Sequence, residues 1–182
     1  MFQTQLKNNI LTALFAALLA VCAIVAFPVP FSPVPVSLFT FGLFLTASLL
    51  PPKHAVSATA LHLLLGVIGL PVFSGFGSGI GVLFGPTGGY LWFGLPVAGI
   101  VSYFLHRAEH TVPQRIAVML LGLVLCYLGG TVWYMLQCRV SFLHGLLVCV
   151  LPFLGADLAK IMAAAAVTTV LRHALATYGF FR

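Results

Sequence analysis

Residues 116–136, from Ile116 to Leu136, read IAVMLLGLVLCYLGGTVWYML, with Arg115 immediately before them and Arg139 shortly after. None of these twenty-one side chains is charged. At about 1.5 Å of rise per residue, a helix of this length spans roughly 31 Å, the hydrocarbon thickness of a bilayer. Inside that layer the backbone can satisfy its polar groups only by bonding to itself. The stretch therefore predicts a membrane-crossing helix, and the rest of the chain is read outward from it.

Five further apolar runs fall at Ile10 to Phe27, Val36 to Leu50, Ala55 to Leu70, Gly88 to Leu105 and Gly155 to Leu175. The expected fold is all-α: a polytopic membrane protein, a six-transmembrane-helix bundle formed as one domain over residues 1–182. The second and third runs are short and must stand upright or borrow flanking turns. Proline and glycine mark the interruptions at Pro28 to Pro35, at Pro51-Pro52 and at Pro71 to Pro86. The last is an external Gly/Pro-rich loop expected to fold back as a lid or cavity wall. The apolar segment Val140 to Phe153 is too short to cross and is read as a short re-entrant or interfacial helix before the last span.

Composition agrees with a bilayer as solvent. Of 182 residues, 62% are hydrophobic and 5% charged, too few charges to build a water-facing surface. The net charge of +6 comes from scattered residues at the ends of apolar runs, a topology signal and not a nucleic-acid groove. With the N-terminus in the cytoplasm, Lys7, Lys53, Arg107, Arg115, Arg172 and Arg182 all fall on that side, and Arg139 outside. The expected location is the cell (plasma or inner) membrane, multi-pass, with both termini cytoplasmic. Lys7 followed by an apolar run and Cys22 resembles a signal sequence, but the later spans favour a retained first helix.

Few residues offer chemistry. Cys22, Cys126, Cys138 and Cys149 form no C-x-x-C pair and lack a histidine at zinc spacing, so no metal site is expected; Cys138 and Cys149 flank one external segment and are the one conceivable pair. There is no P-loop lysine motif, no H-E-x-x-H and no G-x-S-x-G, and Glu109 and Asp157 are the only acidic residues. An enzyme is not expected, and no cofactor is implied. Asp157 and Lys160 stand on one helical face at i, i+3 spacing inside a span. Such a pair is either a functional site or a helix-start carboxylate neutralised by its neighbour. Gly85-Pro86-Thr87-Gly88-Gly89-Tyr90 is either a ligand-contacting helix entrance or a turn with a small-residue packing surface. Ala13 with Ala17, and Ala16 with Ala20, form small-residue stripes suited either to a partner or to internal packing. His62 is read as a hydrogen-bonded interior residue.

Two motifs at matching spacing, the stretch from Leu63-Leu64-Leu65-Gly66 to Leu70-Pro71-Val72-Phe73-Ser74-Gly75 and the run from Gly85 to Tyr90, resemble the BioY family, biotin-capturing S components of energy-coupling-factor transporters. The likeness extends to Pro33-Val34-Pro35-Val36-Ser37-Leu38 and to Gly155-Ala156-Asp157-Leu158-Ala159-Lys160. It implies biotin uptake: a membrane-embedded subunit that binds biotin outside and releases it inward through an ATP-driven module. Asp157 and Lys160 would contact the ureido ring, with Thr87, Gly88, Gly89, Tyr90, Phe73, Ser74 and Trp92 forming the pocket. The partners implied are biotin, membrane lipid, and a transmembrane coupling protein carrying two ABC-type ATPases, met by Ala13, Ala17, Ala16 and Ala20. The alternatives are an S component for another vitamin, a solitary facilitator, or a non-transporting membrane scaffold. The sequence departs from the family pattern in reading Ser37-Leu38-Phe39 where Thr-Leu-Gln is frequent, in its short Pro51-Pro52-Lys53-His54 loop, and in having His62 where a tyrosine is frequent.

Overall fold

The computed structural model describes residues 2–30, 32–108 and 110–177. Arg182, assigned above to the cytoplasmic side, and Glu109 lie outside the described residues. The chain runs α1 (Phe2–Ile24), β1 (Ala26–Val29), β2 (Ser32–Ser37), α2 (Phe39–Leu49), α3 (Pro52–Val67), α4 (Ile80–Leu83), α5 (Gly88–Arg107), α6 (Val112–Cys138), α7 (Phe142–Cys149) and α8 (Leu154–Thr177). A single 3₁₀ turn, Ser74–Phe76, precedes α4.

Among the described residues, four helices are long and apolar enough to cross a membrane by length and composition: α1, α5, α6 and α8. Their outward faces carry large apolar side chains, among them Ile10, Leu14, Leu128, Leu136, Met162 and Val170. Exposure on that scale suits lipid and not water. The eleven residues of α2 and sixteen of α3 give lengths of roughly 16 and 24 Å, short of a full hydrocarbon layer. α2 compensates by position: it packs against α1, α3, α5 and α8, and nine of its eleven residues are buried.

Local chemistry sets the ends of these elements. α6 opens on a capping box, with the Thr111 N–H donating to Gln114 Oε1 at 2.9 Å and Pro113 in the first turn, where its missing donor costs nothing. α6 lies tightly on α5 because Gly129 and Gly130 sit flat beneath the rings of Phe93 and Tyr90; a Cβ on either would lie 2.1 Å or 2.3 Å from a ring carbon. Only glycine permits that approach.

Several expectations are corrected. The fold is mostly helical, with one addition: the proline-rich stretch read as a plain interruption forms an antiparallel ribbon pairing Ala26 with Ser37 and Val29 with Ser32. A two-stranded ribbon leaves one edge of each strand free, so prolines are tolerated at positions that need no donor. The ribbon takes the ends of two expected spans: the first stops at Ile24 and not Phe27, and the second begins at Phe39 and not Val36. The third stops at Val67 instead of Leu70, where Gly69 takes φ +105°. The alanine stripes on α1 divide by face, with Ala13 and Ala17 exposed whereas Ala16 and Ala20 are 1% and 8% exposed. Ala16 and Ala20 therefore pack within the bundle. His62 is also not hydrogen-bonded among the described residues: it is fully buried, and neither ring nitrogen has a partner there.

The segment before the last span contains α7, eight residues and about 12 Å long, packed on α6 and β2. Cys138 and Cys149 are free thiols.

Candidate functional site

The N-terminal ends of α2, α5 and α8 meet at one end of the bundle. There, β2, α7 and the loop after α3 enclose a cavity of about 300 Å³. That volume is at the lower end of the range for small-molecule sites.

Asp157 is the charged centre. Its place in the first turn of α8 follows from the break at Leu151-Pro152, and its N–H bonds to the Phe153 carbonyl at 2.8 Å. Asp157 is 4% exposed, and its carboxylate accepts three hydrogen bonds from the described residues. Lys160 Nζ donates to Oδ1 at 2.8 Å, Thr40 Oγ1 donates to Oδ1 at 2.9 Å, and the Tyr127 hydroxyl donates to Oδ2. A buried carboxylate without such donors would be too costly to retain its charge. A carboxylate has about four lone-pair sites, so one acceptor position remains on Oδ2. Lys160 likewise gives one of its three N–H groups to Asp157 and keeps others for the cavity. The pair thus presents an acceptor beside a donor to whatever enters.

The remaining walls are aromatic, aliphatic and hydroxylic. Phe39 stacks on His62 at 5.5 Å between ring centroids, and Phe73 meets the same imidazole edge-on at 5.7 Å. Phe73 rests directly on Gly66, whose missing Cβ would lie 2.0 Å from the ring. Tyr90 lines the cavity with its hydroxyl 3.4 Å from both Thr131 Oγ1 and the Cys149 carbonyl. Thr87 precedes α5 without using its hydroxyl as a cap, and Ser37 and Ser74 add two more hydroxyls. Burial pushes the Cys149 thiol up, so it contributes a neutral sulfur to the wall. Among the described residues, no group of three or more His, Cys, Asp or Glu side chains is placed to hold a metal.

Of the nine ligand-contacting residues expected from sequence, six line this cavity: Asp157, Lys160, Thr87, Tyr90, Phe73 and Ser74. Three do not. Trp92 turns away, donating from Nε1 to the Leu83 carbonyl at 3.1 Å and packing against Phe84. Gly88 and Gly89 serve packing, since a Cβ on them would lie 1.8 Å from the Leu83 carbonyl oxygen and 2.3 Å from Trp133 Cβ. Together, Trp92, Trp133 and Gln137 hold the carbonyls of Leu83, Gly85 and Phe84. This fixes irregular backbone at the cavity's edge, where open backbone groups would be costly near lipid.

Sequence reading missed Thr40 and Tyr127, which hold the carboxylate, and the β2 wall of Val34, Pro35 and Ser37. Tyr127 had a usable signal. A phenol in the middle of an uncharged span needs a hydrogen-bond partner, and the one carboxylate predicted within a span was the obvious candidate. Thr40 had none, because its role depends on where α2 begins.

The profile of the BioY family matches residues 1–177. The chain is 36% identical over 160 residues to "Biotin transporter BioY2" of Lactococcus lactis subsp. cremoris, an alignment covering 88% of this chain and 87% of that one. It is 34% identical over 170 residues to "Biotin transporter BioY" of Thermotoga maritima, covering 92% and 96% respectively. The fold superposes with a TM-score of 0.89 and 25% identity on the crystal structure of the S-component for biotin from an ECF-type ABC transporter, covering 95% of this chain and 94% of that one. By sequence and by fold, this chain belongs to the BioY family.

Proposed function

We propose that the chain is the membrane-embedded capture subunit of a biotin uptake system. Transport, and not catalysis, is its work. The observation that carries this reading is the buried Asp157–Lys160 pair at the cavity, with one acceptor and at least one donor left over. A ureido ring offers an N–H for the carboxylate and a carbonyl for the ammonium, and the thiophane ring and aliphatic tail suit the walls of Phe73, Phe39 and Val82. Thr87, Tyr90 and Ser74 line the same chamber.

The same reading gives six crossings, α1, α2, α3, α5, α6 and α8, with β2 completing the short second one. Lys7, Lys53, Arg107, Arg115 and Arg172 fall at helix ends away from the cavity, which supports an outward-facing site and cytoplasmic termini. Energy would come from partners: a transmembrane coupling protein with two ABC-type ATPases, docking on the exposed Ala13 and Ala17.

The test is binding of labelled biotin by the purified protein in lipid, with riboflavin and thiamine as competitors. Saturable biotin binding that neither competitor displaces, and that Asp157→Asn abolishes, is the expected result. For the docking surface, Ala13→Trp or Ala17→Trp should stop uptake in cells supplied with the coupling proteins, leaving binding intact. Full uptake by both variants would remove those two positions from the interface.

A further inference from the structure

α8 holds α2 at both ends. At the cavity, Thr40 in the first turn of α2 donates to Asp157 in the first turn of α8. At the opposite end, Arg172 Nη2 donates to the Ser48 carbonyl at 2.6 Å. Ser48 lies in the last turn of α2, where carbonyls have no intrahelical partner. The two helices run in the same direction, so the carboxylate lies beside the positive end of the α2 dipole and the guanidinium beside its negative end. Geometry explains why arginine can close the second contact. Asp157 and Arg172 are separated by about 22 Å along α8, and Thr40 and Ser48 by about 12 Å along α2. A long side chain leaning back toward the N-terminus of its own helix, the direction helical side chains take, covers most of that difference.

α2 is short, and its depth against α8 decides whether the Thr40 hydroxyl reaches Asp157. A hydrogen bond of 2.9 Å survives only a few tenths of an ångström of sliding. We propose that Arg172 is a positioning residue for the ligand site: by anchoring the Ser48 carbonyl it sets the depth of α2 and keeps Thr40 on the carboxylate at the far end of the bundle. Ser102 adds a second anchor, its Oγ donating to the Leu50 carbonyl at 2.6 Å. This inference rests on the reading of Asp157 as a ligand contact.

The experiment is a double-mutant cycle on biotin affinity, using full-length protein in lipid: wild type, Arg172→Met, Thr40→Val and the double variant. Each single change is expected to weaken binding by roughly tenfold or more, the worth of one hydrogen bond with a charged partner. The double variant should bind no more weakly than Thr40→Val alone, because Arg172 acts through Thr40. Wild-type affinity in Arg172→Met, or losses that multiply in the double variant, would overturn the proposal. If Arg172→Met does not fold, Arg172→Lys and Ser102→Ala complete the same cycle with milder changes. Asp157→Asn is measured alongside: undiminished binding there defeats the ligand reading itself, whereas sensitivity at Asp157 without sensitivity at Arg172 or Ser102 defeats only this inference.

Discussion

Two buried polar groups flank the first turn of α2, and their surroundings differ sharply. Next to Thr40, Asp157 is 4% exposed and its carboxylate receives donors from Lys160, Thr40 and Tyr127. Next to Phe39, the His62 imidazole is 0% exposed and contacts two phenyl rings, with neither nitrogen hydrogen-bonded among the described residues. The first is a network nearly complete in itself, with one acceptor position held open toward the cavity. The second carries the cost of a polar group without its compensation. Burial alone therefore says little about function; what matters is which hydrogen-bonding positions remain after the protein has satisfied the rest.

The largest effects should come from breaking the complete network. Lys160→Ala leaves a buried carboxylate with only neutral donors, and removing one partner of a buried pair costs about 3 to 5 kcal/mol. Thermal unfolding in detergent should fall accordingly, and biotin affinity should drop at least roughly tenfold. Removing both charges, as Asp157→Asn with Lys160→Met, should recover part of the melting temperature without recovering binding. If the double variant is no more stable than either single variant, the pair is not the coupled unit described. Tyr127→Phe is the next step down: it deletes one hydrogen bond to a charged group, worth about 1.5 to 3 kcal/mol. Calorimetric titration should show weakened binding, and unchanged affinity would mean that the phenol does not orient Asp157.

The charged half of this contrast was legible in the sequence and the uncharged half was not. Asp157 and Lys160 stand out because an ion pair inside an apolar run has few structural explanations, and their i, i+3 spacing fixes a shared face whatever surrounds them. Their partners depend on tertiary contacts across 117 and 30 residues of sequence, which no local pattern encodes. The ribbon from Ala26 to Ser37 escaped because proline-rich sequence reads as a break, and its pairing is set by the ends of α1 and α2. Glycine was ambiguous for a similar reason. Gly88, Gly89 and Gly66 all permit close approach, but only the fold says that the neighbours are Leu83, Trp133 and Phe73 instead of a ligand. Phe39 and His62, far apart in the sequence, stack on each other at 5.5 Å between ring centroids, a pairing that no local pattern encodes.

That aromatic wall can be probed without touching charge. Gly66→Ala places a methyl group against Phe73, and overpacking of this kind costs about 1 to 3 kcal/mol. The ring must move toward the cavity or the Gly79–Gly66 backbone contact of 2.7 Å must open. Either change should lower both stability and biotin affinity. A loss of stability with affinity untouched would show that Phe73 is a structural prop and not part of the recognition wall.

The smallest effect, and the one of opposite sign, is expected at His62. His62→Met removes two polar atoms that the protein leaves unpaired, each costing about 1 to 3 kcal/mol when buried without a partner. Against this stands the stacking with Phe39 and Phe73, worth about 0.5 to 1.5 kcal/mol per pair, part of which a thioether replaces through sulfur–ring contacts. The first term equals or exceeds the second, so melting temperature should hold or rise slightly, by the equivalent of about 1 kcal/mol. Affinity for biotin should stay within about twofold, since His62 lies behind Phe39 and Phe73 and not at the cavity surface. A clear fall in stability would mean that the imidazole is satisfied in the membrane by a partner outside the chain. A fall in affinity alone would mean that the ring reaches the ligand when the phenyl groups move aside. In either case His62 would join Asp157 as a buried group held ready for something else, and the contrast between the two sides of α2 would disappear.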